Sequence, residues 1–174
     1  MVDKSSEIVL NIARDKIHFP YGITTLLDGH IVISDKIYEK ISVMNPTGEM
    51  TLQFGCHGYT DSSLDNPSYL ATDGNNIIVS DSGHHQIKFF DKNGNFLRKI
   101  GTLGSSNGEL RYPKGIAVTR KGEIIVADSG NHRVVMFSST GDSMTTLLDG
   151  ADNIERPIDV ACTSSGLLAV AMPD

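Results

Sequence analysis

Cysteine is scarce in this chain: two occur among 174 residues, Cys56 in a glycine-rich loop and Cys162 in an apolar run. Two thiols in unrelated contexts give no basis for a disulfide framework or a cysteine-rich zinc module, and they suit a reducing compartment. Long apolar runs are missing too, from "MVDKSSEIVLNIARDK" onward, so no segment reads as a membrane span. Positive charge is not in excess. Fifteen Lys and Arg stand against 21 Asp and Glu, a net charge of -6, so no global field draws the chain to nucleic acid and any RNA reading must rest on one face. A helical period of useful length is lacking as well. With 39% hydrophobic and 21% charged residues, the chain reads as one soluble globular domain, expected in the cytoplasm.

A repeat fills the space these absences leave. Pro20, Pro67, Pro113 and Pro157, spaced by 47, 46 and 44 residues, each introduce an apolar segment: "PYGITTL", "PSYLATD", "PKGIAVT" and "PIDVACT". A second apolar run follows each and ends at Asp35, Asp81, Asp128 and Asp174, with steps of 46, 47 and 46. The segments are short, rich in Ile and Val, and divided by Gly, Asn, Asp or Ser, which is the pattern of strands joined by tight hairpins. The third unit gives the order: "KGIAVT", "EIIVAD", "RVVMFS" and "SMTTLLD", four antiparallel strands. Runs such as "IIVAD" and "VVMF" are apolar at successive positions, so both faces of each small sheet must be covered. Four-stranded sheets stacked face to face and arranged radially meet that need, which predicts an all-β fold of the β-propeller type.

Residues 101–142, "GTLGSSNGELRYPKGIAVTRKGEIIVADSGNHRVVMFSSTGD", resemble an NHL repeat almost end to end, and 54–101 match it equally well. The shared features are the loop G, x2, G, x5, L, x2, P, the "GIAV" and "VAD" strands, the N/H-H-R/Q turn and the "FDxxGxF" hairpin. By this reading repeat 1 spans about 17–54, repeat 2 about 64–101 and repeat 3 about 110–149. A partial repeat 4 covers about 154–174, and residues 7–13 form an outermost-type strand. The resemblance implies about three and a half blades of a larger, six-bladed propeller. In the tripartite-motif (TRIM) proteins such a propeller is a recognition arm for protein or RNA, and a RING domain carries the ubiquitin-ligase activity. This chain shows no RING or B-box pattern, so the resemblance implies a non-catalytic binding module without a cofactor. It also implies self-association or completion of the propeller by further blades.

Aligned turns separate scaffold from candidate site. "SDKIYEKISVM", "SDSGHHQIKFF" and "ADSGNHRVVMF" superimpose Asp35, Asp81 and Asp128, each placed to accept backbone N–H bonds, with Gly83 and Gly130 expected to take positive φ. The residues that vary are Tyr38, Glu39 and Lys40, then His84, His85 and Gln86, then Asn131, His132 and Arg133. Together with Tyr69, Arg111, Tyr112, Lys114 and Asp159 they make up the expected ligand-binding face, rich in groups that pair with phosphate or stack on bases. Metal binding by His85 and His132 is not expected, because ligands on neighbouring sheets stand about 10 Å apart, too far for one ion. The enzyme alternative is a propeller lyase or lactonase with metal ligands on the innermost strands. The corresponding positions here are Gly22, Tyr69, Gly115 and Asp159, which supply a single carboxylate and no His.

Overall fold

A computed structural model describes residues 17–163 and 165–173. The sequence-assigned strand at 7–13 and the aspartate at 174 lie outside these residues. The first sheet holds β1 (Pro20–Thr25), β2 (Ile31–Asp35), β3 (Lys40–Met44) and β4 (Met50–Phe54). The second holds β5 (Pro67–Thr72), β6 (Ile77–Asp81), β7 (Gln86–Phe90) and β8 (Phe96–Ile100). The third holds β9 (Pro113–Val118), β10 (Ile124–Asp128), β11 (Arg133–Phe137) and β12 (Met144–Leu148), and β13 (Asp159–Cys162) pairs with β14 (Leu168–Ala171) in a fourth. Every pairing is antiparallel between chain neighbours, as tight hairpins require.

Local chemistry sets the hairpins. Between the third and fourth strands Asn45 and Asp91 turn their side chains onto backbone N–H groups two and four residues on, and Gly48 and Gly94 take the left-handed conformation that closes the turn. Packing then joins sheet to sheet. Val32 and Val43 of the first sheet meet Leu70, Ile77 and Val79 of the second in one cluster. Ile78 and Phe89 of the second meet Ile116, Ile124 and Val126 of the third in another. Ile125 and Ala127 of the third meet Val160 of the fourth. Leu64, Leu110 and Ile154, each three residues before the proline of its unit, are buried in these three clusters in turn.

Polar stitches run alongside. Ser34 donates its hydroxyl to the carbonyl of Ser68 at 2.6 Å, and Ser80 donates to the carbonyl of Lys114, the same step of 34 residues. The Ser34 hydroxyl also accepts from Gly22 N–H at 2.8 Å. The third unit has Ala127 in this place, and there Gly115 N–H reaches the next unit directly, at the carbonyl of Ile158, 3.0 Å away. Glycine permits the approach: a Cβ on Gly115 would collide with Asp159, and one on Gly22 with the Ser68 carbonyl.

The aspartate corners are the most repetitive element. Asp35, Asp81 and Asp128 are buried, and each accepts the N–H of the residue two before the unit's proline: His18 at 2.8 Å, Asp65 at 2.6 Å and Arg111 at 2.7 Å. Their charges are met differently. Lys88, itself buried, sits 2.8 Å from Asp81 and donates to the Ser63 carbonyl at 2.6 Å. Arg133 Nε sits 2.8 Å from Asp128. Asp35 accepts a further N–H from Tyr38 at 3.1 Å, and no cation pairs with it among the described residues. The fourth unit departs from the sequence alignment. Val160 pairs with Val170 as Ile116 pairs with Val126, which puts Met172, rather than the aspartate at 174, level with Asp128.

Gly83 and Gly130 correct a second expectation, since neither has positive φ. They are needed for closeness: a Cβ on Gly83 would strike the Asp65 carboxylate, and one on Gly130 the Arg111 side chain and carbonyl. Their N–H groups donate to those same residues' carbonyls at 2.9 and 2.8 Å. The left-handed residue lies two positions later, at Glu39 (φ 56°), His85 (φ 60°) and His132 (φ 54°).

Two stability predictions follow from this scaffold. Lys88→Ala strands the buried Asp81 charge and is expected to cost about 3 kcal/mol in urea unfolding, the usual price of breaking a buried pair from one side. A loss under about 1 kcal/mol would mean that His84 alone satisfies Asp81. Gly115→Ala is expected to cost about 2 kcal/mol through overpacking, whereas Gly150→Ala, which meets nothing within 4 Å, leaves the midpoint nearly unchanged.

Candidate functional site

The inner strands pack in sequence, β1 on β5, β5 on β9 and β9 on β13, so their first residues gather at one mouth of the arc. A concave pocket of about 310 Å³ opens there. Its wall contains Lys36, Lys114, Arg156, Tyr21 and Tyr112 and the serines 68, 82 and 129, with no carboxylate among the described residues. Three cations converge on this spot in a chain whose net charge is -6. Such a wall attracts anions.

Repeat geometry explains why these side chains meet. Lys36, Ser82 and Ser129 each follow a corner aspartate, while Tyr21, Ser68 and Lys114 each follow a unit's proline. The polar floor is fixed: Ser82 donates to the Pro113 carbonyl at 2.6 Å and shares a 2.7 Å bond with the Ser68 hydroxyl. Asn66, Tyr112 and Arg156 precede the prolines and take φ of 50°, 46° and 43°. A residue before proline is normally extended, so these conformations must be held by their surroundings. One holding contact is His85 Nδ1, which accepts Tyr112 N–H at 3.0 Å while its ring packs edge-on against the tyrosine, centroids 4.4 Å apart. Lys36 is set in place over Tyr21, its Nζ 4.7 Å from the ring centre.

Of the residues expected from sequence, Tyr112 and Lys114 line this pocket, together with Gly83 and Gly130. Tyr69 stands beside it, edge-on to Tyr21 at 5.3 Å; burial pushes its phenol well up, and the Tyr21 hydroxyl and the Asp159 charge add to the effect. Asp159, at the start of β13, is exposed and accepts Val160 N–H at 2.9 Å. Arg111 lies across Gly130. Other members turn inward. Arg133 pairs with Asp128 and donates to the carbonyls of Ser105 and Glu109, each at 2.8 Å. Asn131 donates to the Gly104 carbonyl and to Asp128, also at 2.8 Å, and His84 binds Asp81 at 2.7 Å. Lys40 reaches the Gly55 carbonyl at 3.3 Å. His132 is exposed, and Tyr38 packs on His18 and Phe19.

Sequence reasoning missed Lys36 and Tyr21 and did not single out Arg156. The signal was available at Lys36, which breaks the repeat where the second and third units carry Ser82 and Ser129; the Tyr21 position varies throughout, as Ser68, Lys114 and Ile158. The innermost positions named for the enzyme alternative, Gly22, Tyr69, Gly115 and Asp159, do not converge on a ligand set; among the described residues no group of three or more His, Cys, Asp or Glu could hold a metal ion. Among the same residues no helix is long and apolar enough to cross a membrane.

His85 gives the pocket a pH dependence. Burial lowers its pKa from the ordinary value, the Arg111 and His84 charges lower it further, and Asp65 and Asp128 oppose them. A neutral ring is also what accepting from Tyr112 demands. With the folded pKa depressed, the unfolded chain takes the proton first, so this contribution is whole above about pH 6.5 and is lost as pH falls below that value. His57, raised by its bond to Glu39, titrates with the opposite sign. In a His57→Gln background, His85→Asn, which tolerates the left-handed backbone, is expected to flatten the pH dependence of the unfolding midpoint between about pH 7.5 and 5.5. An unchanged slope would show that His85 does not carry it.

Residues 110–137 match the NHL repeat. The chain is 31% identical over 106 residues to the protein brain tumor of Drosophila melanogaster, which covers 59% of this chain and 10% of the fly protein. It is 34% identical over 68 residues to the RING finger protein nhl-1 of Caenorhabditis elegans, 38% of this chain and 7% of that protein. The chain thus spans a tenth or less of these curated relatives. Among solved structures it is similar to a streptogramin B lyase (TM-score 0.65, 21% identity, 87% of this chain and 47% of that one). It is also similar to a chain of a nidogen/laminin complex (TM-score 0.68, 21% identity, 92% and 58%). At such identities the structures speak for the fold alone. The four-stranded sheets and the comparisons agree on the fold: the chain is a β-propeller segment with an NHL repeat matched over residues 110–137, similar over part of its length to brain tumor and nhl-1.

Proposed function

We propose that this segment is a recognition module that binds single-stranded RNA at the mouth of its arc. The observation that carries the reading is the wall in which Lys36, Lys114 and Arg156 stand with Tyr21 and Tyr112, without a carboxylate among the described residues. Cations at the rim neutralise phosphates, and exposed tyrosine faces stack on unpaired bases, the two elements of single-strand recognition. Tyr21 and Tyr112 are about half exposed, as a stacking platform must be. The Caenorhabditis relative is named a RING finger protein, and that likeness supports placing the module as the substrate- or RNA-recognition arm of a ubiquitin ligase.

Fluorescence anisotropy with short single-stranded RNA pools at two salt concentrations tests this. Binding is expected to weaken steeply with salt. Lys114→Ala and Lys36→Ala are each expected to weaken it and to reduce the slope of log K against log salt by about 0.7, the value of one phosphate contact on a single strand. Arg133→Ala is not an equivalent probe, because that side chain serves the Asp128 corner. Undetectable binding, or binding indifferent to Lys36, Lys114 and Arg156, would overturn the RNA reading; capture of an acidic protein partner lost in the same variants would replace it.

A further inference from the structure

Two side chains of each of the first three units meet at the mouth of the arc. Lys36, Ser82 and Ser129 follow the corner aspartates, and Tyr21, Ser68 and Lys114 follow the prolines that pair with those aspartates. In the first unit the two are in contact, with Lys36 Nζ 4.7 Å from the centre of the Tyr21 ring. In the second they are bonded: Ser82 shares a 2.7 Å bond with Ser68 and donates to the Pro113 carbonyl at 2.6 Å. The third pair is open. Lys114 stands where the second unit has Ser68, and the Ser129 hydroxyl has no hydrogen-bond partner among the described residues, although Ser129 is only 3% exposed. No described polar side-chain atom that is sealed from solvent lacks a partner, so this hydroxyl is reached from the pocket that Ser129 lines. Lys114, half-buried, and Arg156 line the same pocket and form no salt bridge among the described residues.

We infer that this pocket seats the terminal phosphomonoester of an RNA strand, with the Ser129 hydroxyl and the Lys114 ammonium as its innermost donors, an inference that rests on single-stranded RNA being the ligand. Charge decides for an end rather than a passing strand. A phosphodiester carries one charge and two free oxygens, whereas a terminal phosphate carries close to two charges at neutral pH and offers three acceptor oxygens. Lys36, Lys114 and Arg156, facing no carboxylate among the described residues, are matched by the second and left in excess by the first. The form of the cavity agrees. Its volume of about 310 Å³ lies at the small end of ligand pockets, and the contacts of Ser82 with Ser68 and Pro113 close its floor, so that a strand enters it and does not run through. A serine hydroxyl with no partner in the fold is free to turn its proton onto the third oxygen, while the two nearest cations serve the others.

The test is fluorescence anisotropy on the whole chain with one short single-stranded RNA made in several forms: hydroxyl at both ends, phosphate at the 5′ end, phosphate at the 3′ end, and each phosphate blocked as its methyl ester. One phosphorylated form is expected to bind about tenfold tighter than the hydroxyl form, the size of one charge-assisted hydrogen bond, and its identity tells which end is seated. Its methyl ester is expected to lose that gain. Ser129→Ala is expected to remove most of the gain while leaving the thermal midpoint unchanged, because the hydroxyl bonds nothing in the fold. Equal affinity for hydroxyl and phosphate ends, with RNA still bound, overturns the end reading and leaves RNA as the ligand. A gain that persists in full in Ser129→Ala or in the methyl ester overturns it too. Failure of every form to bind overturns both, and a phosphoserine peptide bound in their stead would give the pocket to a phosphoprotein.

Discussion

A buried carboxylate at the end of the second strand of each of the first three sheets fixes where that sheet's first strand begins. Asp35, Asp81 and Asp128 each bond the N–H of the residue two before a proline, tying the incoming inter-sheet loop to the corner of the sheet it enters. A buried carboxylate needs several partners, and the units supply them from different places: Lys88 from the middle of β7, Arg133 from the start of β11 and, among the described residues, backbone N–H groups at Asp35. The carboxylate is constant and its counter-charge is not. That freedom lets the strands around each corner diverge while the loops keep their course, and with them the pre-proline residues that face the pocket.

Sheet architecture was legible in the sequence because it rests on composition and spacing. Two markers stepping by about 46 residues, with hairpin signals between them, leave little besides stacked four-stranded sheets. The corner aspartates were legible for the same reason. Close approach was not. Gly83 and Gly130 look like ordinary turn glycines, but their role depends on Asp65 and Arg111, which arrive from another part of the chain. Nor does a spacing rule reveal that two residues are missing from the fourth unit's register, since only the pairing of Val160 with Val170 exposes it.

The candidate site was half legible. Tyr112 and Lys114 could be placed by alignment, but the inward turn of Arg133, Asn131 and His84 could not, because a cation beside a buried aspartate and a cation facing solvent have the same letter. Variation between repeats identified where the units differ; it did not separate differences that serve the corner from differences that serve the rim. Lys36 was overlooked because it occupies a scaffold position directly after the corner aspartate, whereas Tyr21 shares the post-proline position of Lys114 and was within reach of the same alignment. In a repeat protein the scaffold position nearest the axis is also the one most able to present a side chain to a ligand.

The serine stitches have a bearing on how the molecule is assembled. Each spans 34 residues, from Ser34 to Ser68 and from Ser80 to Lys114, and each donor lies in the earlier sheet. The loop that must close for one sheet to find the next is therefore the same size at the first two junctions. Ordering can then spread along the chain one sheet at a time, each completed unit offering hydroxyls to the strand that follows, so that the array grows in the direction of synthesis without waiting for its far end.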